Sequence, residues 1–247
     1  MPVADAIQTF AGIANENEFY SHHYLGEVFK GDIKARLDAW QAQEDAQQEQ
    51  AQTTEDAQAF KAPPKALGSW AGKWFALRSQ ITKSRDPEER LKRFADQQRG
   101  LLTALGYSLS PARVELHPGM PLSCWQAIGN QLLILPAYNP SQEDDDILDQ
   151  RLSALHYNGI PAPKAFKDMD GWAEIVSEAI FGSDQPPRFV ILAGLDEWLL
   201  LDRFKWPNNR ALRFNWQEIL DRKDTPTLQA AACLWHRDSL APKTSLQ

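Results

Sequence analysis

The spacing of apolar residues changes from helical to alternating after Gly106. Before it, residues 91–105 place their apolar side chains on one helical stripe behind Asp86-Pro87, which predicts a helix with Asp86 as its N-cap. After it come three segments with the pattern of strands: residues 112–117, 122–128 and 131–135. The sequence therefore predicts a helix followed by a three-stranded meander, so the chain must hold both helices and a sheet.

The second half of the chain alternates between expected helices and expected strands. The expected helices are residues 147–155, 171–181, 216–221 and 227–236, and the expected strands are residues 188–193, 197–202 and 210–214. The first two of these strands form a hairpin that turns at Gly194-Leu195-Asp196. The pattern indicates an α+β fold (mixed α/β), in which a central, mostly antiparallel or mixed sheet is flanked by helices.

The first 60 residues are expected to form a helical N-terminal part. Short helices are predicted over residues 5–14 and after Ser21, which is the N-cap of the second. Residues 41–60 are rich in Gln, Glu, Asp and Ala, which is typical of either a solvated helix or a flexible linker. We therefore divide the chain into this acidic, Gln-rich part, residues 1–60, and an α/β domain, residues 61–247. The second domain includes a basic helical segment, residues 61–106.

Positive charge is concentrated in one segment. The chain carries a net charge of −7, which argues against a free-standing nucleic-acid binder, but residues 61–100 hold ten basic and four acidic side chains. Basic groups interleaved with aromatic ones are typical of a nucleic-acid face. The residues predicted to bind nucleic acid are Trp70, Trp74, Lys73, Arg78, Lys83, Arg85, Arg90, Lys92 and Arg93. The plainer alternatives are a solvated basic helix surface and tryptophans packed in the core.

No sequence motif for catalysis is present. The chain has no Gly-x-x-x-x-Gly-Lys-Ser/Thr, Gly-x-Gly-x-x-Gly or Gly-x-Ser-x-Gly pattern, so neither a nucleotide cradle nor a nucleophile elbow is expected. Cys124 and Cys233 stand alone, which argues against a disulfide framework and a zinc site. His22 and His23 are neighbours on a predicted helix and point apart, so they cannot chelate one metal. We predict no catalytic residue, no metal site and no cofactor in this chain.

No targeting or membrane segment is recognisable in the sequence. The opening Met1-Pro2-Val3-Ala4-Asp5 has no basic stretch followed by an apolar run, so no secretory signal is expected. No stretch approaches the roughly 18 consecutive apolar residues that a membrane span requires. The expected location is the cytoplasm, with no membrane partner.

The expected order of helix, three strands and helix resembles the core of PD-(D/E)xK nucleases. In those enzymes an Asp on the second strand and a Glu on the third hold a metal, with a Lys one residue further, and the metal activates water. Here the second strand, Pro121-Leu122-Ser123-Cys124-Trp125, has no acid, and Leu135-Pro136-Ala137-Tyr138-Asn139 stands where Glu-x-Lys belongs. The sequence therefore predicts a nuclease-like core without hydrolysis.

Four segments of the chain match the sequence pattern of a known family. They are residues 13–25 (Ile-Ala-Asn-Glu-Asn-Glu-Phe-Tyr-Ser-His-His-Tyr-Leu), 29–33, 101–107 and 188–202, and the first is the most specific. They resemble the N-terminal domain of fused restriction-modification DNA methyltransferases, a group that includes type IIG-like enzymes and the methyltransferases of DISARM-type phage-defence islands. In that family such a domain precedes a helical connector, a Rossmann-like methyltransferase domain and a target-recognition domain. The partners that the resemblance implies are DNA, a methyltransferase domain of the same or a partner chain, and other defence-system subunits.

Methyl transfer itself is not expected in this chain. The family needs an Asn-Pro-Pro-Tyr/Phe motif, which holds the adenine amino group, and a Gly-rich cofactor loop. The nearest segment here is Asn139-Pro140-Ser141, and no Gly-rich loop follows a predicted strand. S-adenosylmethionine would therefore belong to the parent enzyme that the resemblance implies. The chain is expected to be either the N-terminal piece of that enzyme or a separate subunit that works beside it.

The leading hypothesis is a non-catalytic, nuclease-like N-terminal domain of a bacterial, adenine-methylating phage-defence enzyme, which assists DNA binding or docks the methyltransferase domain. One alternative is an active, metal-dependent PD-(D/E)xK-like nuclease whose carboxylates come from Glu18, Glu115 and residues 143–146. Another is a protein-interaction module whose acidic faces meet a basic partner. The positions of Glu18, Glu115, Ser123 and Ala137 distinguish the first two hypotheses.

Overall fold

Strands in the middle of the chain are apolar without interruption, and they form the centre of a sheet. The computed structural model describes residues 10–51, 60–153, 156 and 164–242. Its strands are β1 (Ile13–Glu16), β2 (Ala112–Glu115), β3 (Pro121–Cys124), β4 (Gln126–Ile128), β5 (Leu132–Pro136), β6 (Phe189–Ala193), β7 (Glu197–Asp202) and β8 (Ala211–Asn215).

The helices lie between β1 and β2, in the crossover from β5 to β6, and after β8. They are α1 (Phe29–Ala51), α2 (Pro63–Lys83), α3 (Pro87–Ala104), α4 (Lys164–Lys167), α5 (Trp172–Glu174), α6 (Trp216–Arg222), α7 (Thr225–Trp235) and α8 (Arg237–Leu240). A π-helical turn, Tyr24–Val28, leads into α1, and a second one, Ile175–Ile180, continues α5. In the part of the chain that the structure describes, no helix is long and apolar enough to cross a membrane.

The main sheet is mixed and has the strand order β1-β8-β7-β6-β5-β4. Its only parallel pair among the described strands is β5 with β6, and the other neighbours are antiparallel. A parallel pair needs a crossover connection, and here the crossover carries α5 and its π-helical continuation. Strands β2 and β3 form a separate two-stranded sheet. The fold is therefore α+β with a mixed sheet flanked by helices, as the sequence predicts.

Both faces of the main sheet are buried. Leu200 and Trp198 of β7 point into a core shared with α2, α3, α6 and α7, whereas Leu199 and Leu201 point into a second core shared with β3, α5 and the π-helical turn. Successive side chains of a strand point to opposite faces, so a strand that is covered on both sides is apolar throughout. This explains the unbroken apolar runs of β5, β6 and β7.

A buried amide fixes α3 on the sheet. Gln98 has no exposed surface, and its Oε1 accepts a hydrogen bond from Trp198 Nε1 at 2.9 Å. Its Nε2 donates to the carbonyl oxygen of Leu195 at 3.2 Å, in the turn between β6 and β7. Since a buried polar group is costly unless it is paired, these bonds select one register of α3 against β7.

Several predicted elements are confirmed. Helix α3 begins after Asp86, whose side chain accepts a hydrogen bond from the backbone N–H of Glu88. The hairpin of β6 and β7, the strand β8 and the helices α6 and α7 lie within one or two residues of their expected positions. Residues 41–51 belong to α1, so the helix alternative holds there, and residues 52–59 lie outside the described part.

The predicted three-stranded meander is wrong in one respect. Residues 122–128 do not form one strand, because the chain bends at Trp125. Its backbone N–H donates to the carbonyl oxygen of Ile134 at 2.9 Å, whereas Cys124 still pairs with Ala112 of β2. The expected meander is therefore two hairpins, β2–β3 and β4–β5, which lie in different sheets.

Two predicted helices are wrong where the structure describes them. Residues 5–9 lie outside the described part, but Ile13 and Ala14 belong to β1 and pair with β8. Residues 147–153 form turns because side chains take up their backbone groups: Asp146 Oδ1 accepts from the N–H of Leu148 at 2.9 Å, and Gln142 Oε1 accepts from the N–H of Arg151 at 2.7 Å. Such local bonds compete with a helix.

Helices α2 and α3 pack closely through Gly100. A Cβ built on Gly100 would lie 2.0 Å from Cε2 of Trp70, whose Nε1 donates to the carbonyl oxygen of Gln97 at 3.0 Å. Gly72 on α2 has nothing within 4 Å of its Cβ position.

Gly100→Ala should therefore lower the free energy of unfolding by about 1–3 kcal/mol, because the indole of Trp70 must move. The matched control Gly72→Ala should raise it by about 0.5–1 kcal/mol, because Ala is the better helix former. Urea denaturation of the two variants measures both effects. Equal shifts of the two denaturation midpoints would contradict the close packing.

Candidate nucleic-acid interface

The predicted nucleic-acid residues lie on the hairpin of α2 and α3. Pro63 occupies the first turn of α2, and α2 ends at Lys83, so a connection of three residues, 84–86, leads to α3. Leu67, Trp74 and Phe94 are buried against the sheet and hold the hairpin there. The remaining sides of both helices carry the basic residues.

The two tryptophans differ in their surroundings. Trp74 has no exposed surface, and its ring meets Phe75 edge-on with 5.0 Å between the ring centroids. It offers no face to a base, so the core alternative holds and the prediction for Trp74 is wrong. Trp70 is half-buried, and the ammonium of the exposed Lys73 lies 4.9 Å from its ring centroid. Lys73 thus covers one face of the only tryptophan of the pair that reaches the surface.

Arg78 and Arg90 are bound internally. Arg78 makes two hydrogen bonds to Asp196, from Nε to Oδ1 at 2.6 Å and from Nη2 to Oδ2 at 2.8 Å. Arg90 binds the carboxylate of Glu143, and its Nη1 also donates to the carbonyl oxygen of Pro140 at 3.3 Å. Paired guanidinium–carboxylate bonds are the strong kind of hydrogen bond. These two arginines therefore attach the hairpin to the end of the sheet, and their guanidinium groups are not free to bind nucleic acid.

Arg93 is tied within the hairpin. Its Nη2 lies 2.5 Å from Oε1 of Glu89, and its Nη1 binds Gln80. The hydrogen bonds from Ser84 and Arg93 lower the pKa of Glu89. The charge of Arg93 is therefore balanced by an exposed neighbour one helical turn away.

Besides Lys73, which lies over the ring of Trp70, three predicted residues have no ionic partner in the described part of the chain. Lys83, Arg85 and Lys92 are exposed, and none of them has a salt bridge to any residue that the structure describes. Lys83 ends α2, Arg85 lies in the connection and Lys92 is in the second turn of α3. We name these three residues the hairpin tip.

Carboxylates that the sequence analysis kept for the nuclease alternative lie beside the hairpin. A cleft of about 250 Å³ is lined by Tyr138, Gln150 and five acids, which are Glu143, Asp145, Asp146, Asp196 and Glu197. Glu18 and Glu115 are elsewhere: Glu18 pairs with His22 at 3.5 Å, and Glu115 Oε1 accepts from the N–H of Gly119 at 2.7 Å. The acids named for that alternative therefore do not converge, and Asp196 and Glu197 take their place.

One arginine binds three carboxylates at the rear of this cleft. Arg213 of β8 reaches Glu16 at 2.6 Å, Glu197 at 2.8 Å and Asp146 at 2.9 Å. Burial alone would lower the pKa of Arg213, but the bonds to Glu16 and Glu197 raise it. The phenol of Tyr138, which also lines the cleft, behaves differently: burial raises its pKa, and the charge of Arg90 partly opposes this increase. Among the described residues, no three His, Cys, Asp or Glu side chains are arranged to hold a metal ion.

Sequence analysis missed the cleft because its members are far apart in the chain. Asp196 is in the predicted hairpin turn, Glu197 is the first residue of β7, and Arg213 is the middle residue of β8. The available signal was their position: charged residues that end or interrupt a buried strand need a partner.

Comparison with known proteins adds no relative: neither a family model, nor a curated protein, nor a solved structure matches the chain. The function is therefore inferred from the geometry of the described residues and from the sequence resemblance.

The attachment of the hairpin depends on Glu143. Glu143→Gln should lower the free energy of unfolding by about 1–3 kcal/mol, because Arg78 and Arg90 would then face each other without the shared carboxylate. The control Asp144→Asn makes the same change of charge at an exposed neighbour and should shift stability by less than about 0.5 kcal/mol. Denaturant titration compares them. If Asp144→Asn costs as much, the ion pairs do not hold the hairpin.

Proposed function

We propose that this chain is a non-catalytic, nuclease-like N-terminal domain of a bacterial DNA-modifying phage-defence enzyme of the adenine methyltransferase type. It acts in the cytoplasm, and it brings DNA to a methyltransferase domain of the same or a partner chain. S-adenosylmethionine binds to that methyltransferase domain. The support from sequence is the resemblance of residues 13–25, and the support from structure comes from the sheet and its charged end.

The order of elements supports a nuclease-like core. From α3 the chain passes through the strands β2 to β5, crosses over through α5 and returns as β6 beside β5. This keeps the order of helix, strands and helix on which the resemblance to PD-(D/E)xK nucleases is based, but the strands between the helices form two hairpins in different sheets in place of one meander. The acids of those enzymes are replaced by Ser123 and Ala137, and Ala137 is fully buried.

The observation that carries the non-catalytic proposal is the binding of four of the five cleft carboxylates by three arginines. Arg78, Arg90 and Arg213 occupy the carboxylate oxygens of Glu143, Asp196, Glu197 and Asp146. A catalytic Mg²⁺ needs carboxylate oxygens that face an open position, where substrate phosphate and water complete an octahedron. Guanidinium groups that make two bonds to one carboxylate compete for those same oxygens. The cleft is thus built to join elements of the fold.

The hairpin tip supports the DNA contact. Lys83, Arg85 and Lys92 are solvated cations with no salt bridge inside the described part of the chain. Phosphate contacts by Lys and Arg supply most of the sequence-independent affinity for DNA. Because the chain as a whole is acidic, DNA is repelled from most of its surface and approaches where positive charge is unbalanced.

Reversal of charge at the hairpin tip tests the DNA contact. The triple variant Lys83→Glu, Arg85→Glu and Lys92→Glu should lose duplex affinity in a gel shift at low salt. The slope of log affinity against log salt should fall by about 0.9 for each phosphate contact that is lost. The control triple Lys30→Glu, Arg113→Glu and Lys164→Glu changes the net charge equally at other exposed sites.

The control should retain most of the affinity, because its substitutions alter only the long-range field. Equal losses in the two triple variants would contradict a local contact at the hairpin tip. An unchanged duplex affinity in the variant with three substitutions at the hairpin tip would also contradict a DNA contact there.

Incubation with metal tests the absence of hydrolysis. Supercoiled plasmid should stay intact with the chain at every Mg²⁺ or Mn²⁺ concentration, because the carboxylates of the cleft are bound to arginines. Agarose electrophoresis measures nicking, with a general DNase as the positive control. Nicking that disappears in an Asp145→Asn, Asp146→Asn variant would show that the cleft is a nuclease site.

A further inference from the structure

A second basic surface lies at the opposite end of β6 and β7 from the hairpin. Arg188 precedes β6, and Arg203 and Phe204 follow β7. Phe204 is 61% exposed, and the only other large, exposed apolar side chain among the described residues is Val28. The six residues of β7 span about 20 Å, so this surface is well separated from the contact of Arg78 with Asp196.

The turn after β7 holds Phe204 in a defined position. Asp202 is buried, and its Oδ1 accepts from the N–H of Phe204 at 2.9 Å. The same carboxylate receives two bonds from Arg188, at 2.9 Å and 2.8 Å. The N–H of Lys205 donates to the carbonyl oxygen of Asp202 at 2.9 Å. The exposed ring is therefore supported by a paired and buried carboxylate.

Cations surround the ring. The guanidinium carbons of Arg188 and Arg203 lie 4.5 Å and 4.7 Å from its centroid. Arg203 and Arg210 have no salt bridge to any described residue. Burial, together with the charges of Arg188 and Arg210, lowers the pKa of Lys205 against the effect of Asp202. The surface is thus positive around a solvated aromatic side chain.

A groove of about 390 Å³ runs beside the ring. Its walls include the side chains of Asn130, Gln131 and Gln185, which are exposed and make no hydrogen bond within the described part of the chain. Side-chain amides carry both donors and acceptors, as the edges of nucleobases do. Among the residues that the structure describes, Asp184 is the only acid that lines the groove.

We propose that this groove binds an unpaired nucleotide of single-stranded nucleic acid, with its base stacked on Phe204 and its phosphate near Arg203. An aromatic platform, flanking cations and free amides together match a base and its phosphates, whereas an acidic peptide would use the cations alone. The inference goes beyond the proposed function and does not depend on it, since the hairpin tip takes no part.

Fluorescence anisotropy with the full chain tests this proposal at low salt. The probes are a labelled 12-nucleotide thymidine strand, an abasic strand of the same length and a duplex. Phe204→Ala should weaken binding of the thymidine strand by roughly 5- to 150-fold, the range expected for one stacked base, and should leave the abasic strand unchanged. Arg203→Ala should weaken both strands, because it removes a phosphate contact.

Two controls separate stacking from other effects. Phe204→Trp keeps a stacking face and should retain binding, and Val28→Ala removes the other exposed apolar side chain and should have no effect. Equal losses of the thymidine and abasic strands in Phe204→Ala would overturn the stacking. Competition by polyglutamate as strong as that by thymidine would assign the groove to acidic polymers instead.

The same assay distinguishes this inference from the proposed function. The triple variant of the hairpin tip should lose the duplex and keep the thymidine strand, whereas Phe204→Ala should do the reverse. Failure of thymidine binding by the unaltered chain would overturn the groove proposal, whatever the duplex does.

Discussion

Burial of the central sheet on both faces is the constraint on which the rest of this structure depends. Strands β5, β6 and β7 place alternate side chains into two separate cores, so each needs apolar residues at every position. Complete burial of one Leu or Ile side chain contributes about 1.5–3 kcal/mol, and these strands carry most of the buried aliphatic residues of the sheet. Polar function is therefore confined to the ends of the strands. The acidic cleft lies at one end and the surface around Phe204 lies at the other.

The basic residues near the acidic cleft are of two kinds: arginines that form ion pairs within the fold, and exposed cations that form none. Arg78, Arg90 and Arg213 hold carboxylates from loops and strands that are distant in sequence, and they join the hairpin of α2 and α3 to the sheet. Lys83 and Arg85 are a short distance further along the same hairpin and keep their charge in solvent. The internal arginines place the free cations, because the hairpin cannot move without breaking partly buried ion pairs. Neighbouring residues of one basic segment thus have two roles: some attach the hairpin to the sheet, and others make the proposed DNA contact.

Local patterns predicted the parts of the fold that local physics determines. Helix α3 follows from the cap at Asp86 and its apolar stripe, and the hairpin of β6 and β7 follows from two apolar runs around a turn. The bend at Trp125 and the turns after Asp146 were beyond such reasoning, because they are decided by hydrogen bonds that the spacing of apolar residues does not reveal, from Trp125 to Ile134 and from Leu148 to the side chain of Asp146. For the site, charge counting found the residues of the hairpin tip but could not separate them from Arg78 and Arg90. The groove beside Phe204 was missed altogether, because the turn after β7 brings its cations together from separate segments.

Pairing of β1 with β8 joins Ile13 to Phe214, near the two ends of the described chain. A ribosome that adds roughly 5–20 residues per second needs about 10–40 s to pass from one to the other. During that interval the first strand has no partner for its backbone groups, and the edge of β7 that β8 will cover is open or not yet made. Nascent chains of this protein therefore expose pairing-competent backbone until β8 has been synthesised, and in that interval chaperones that bind extended segments have access to it.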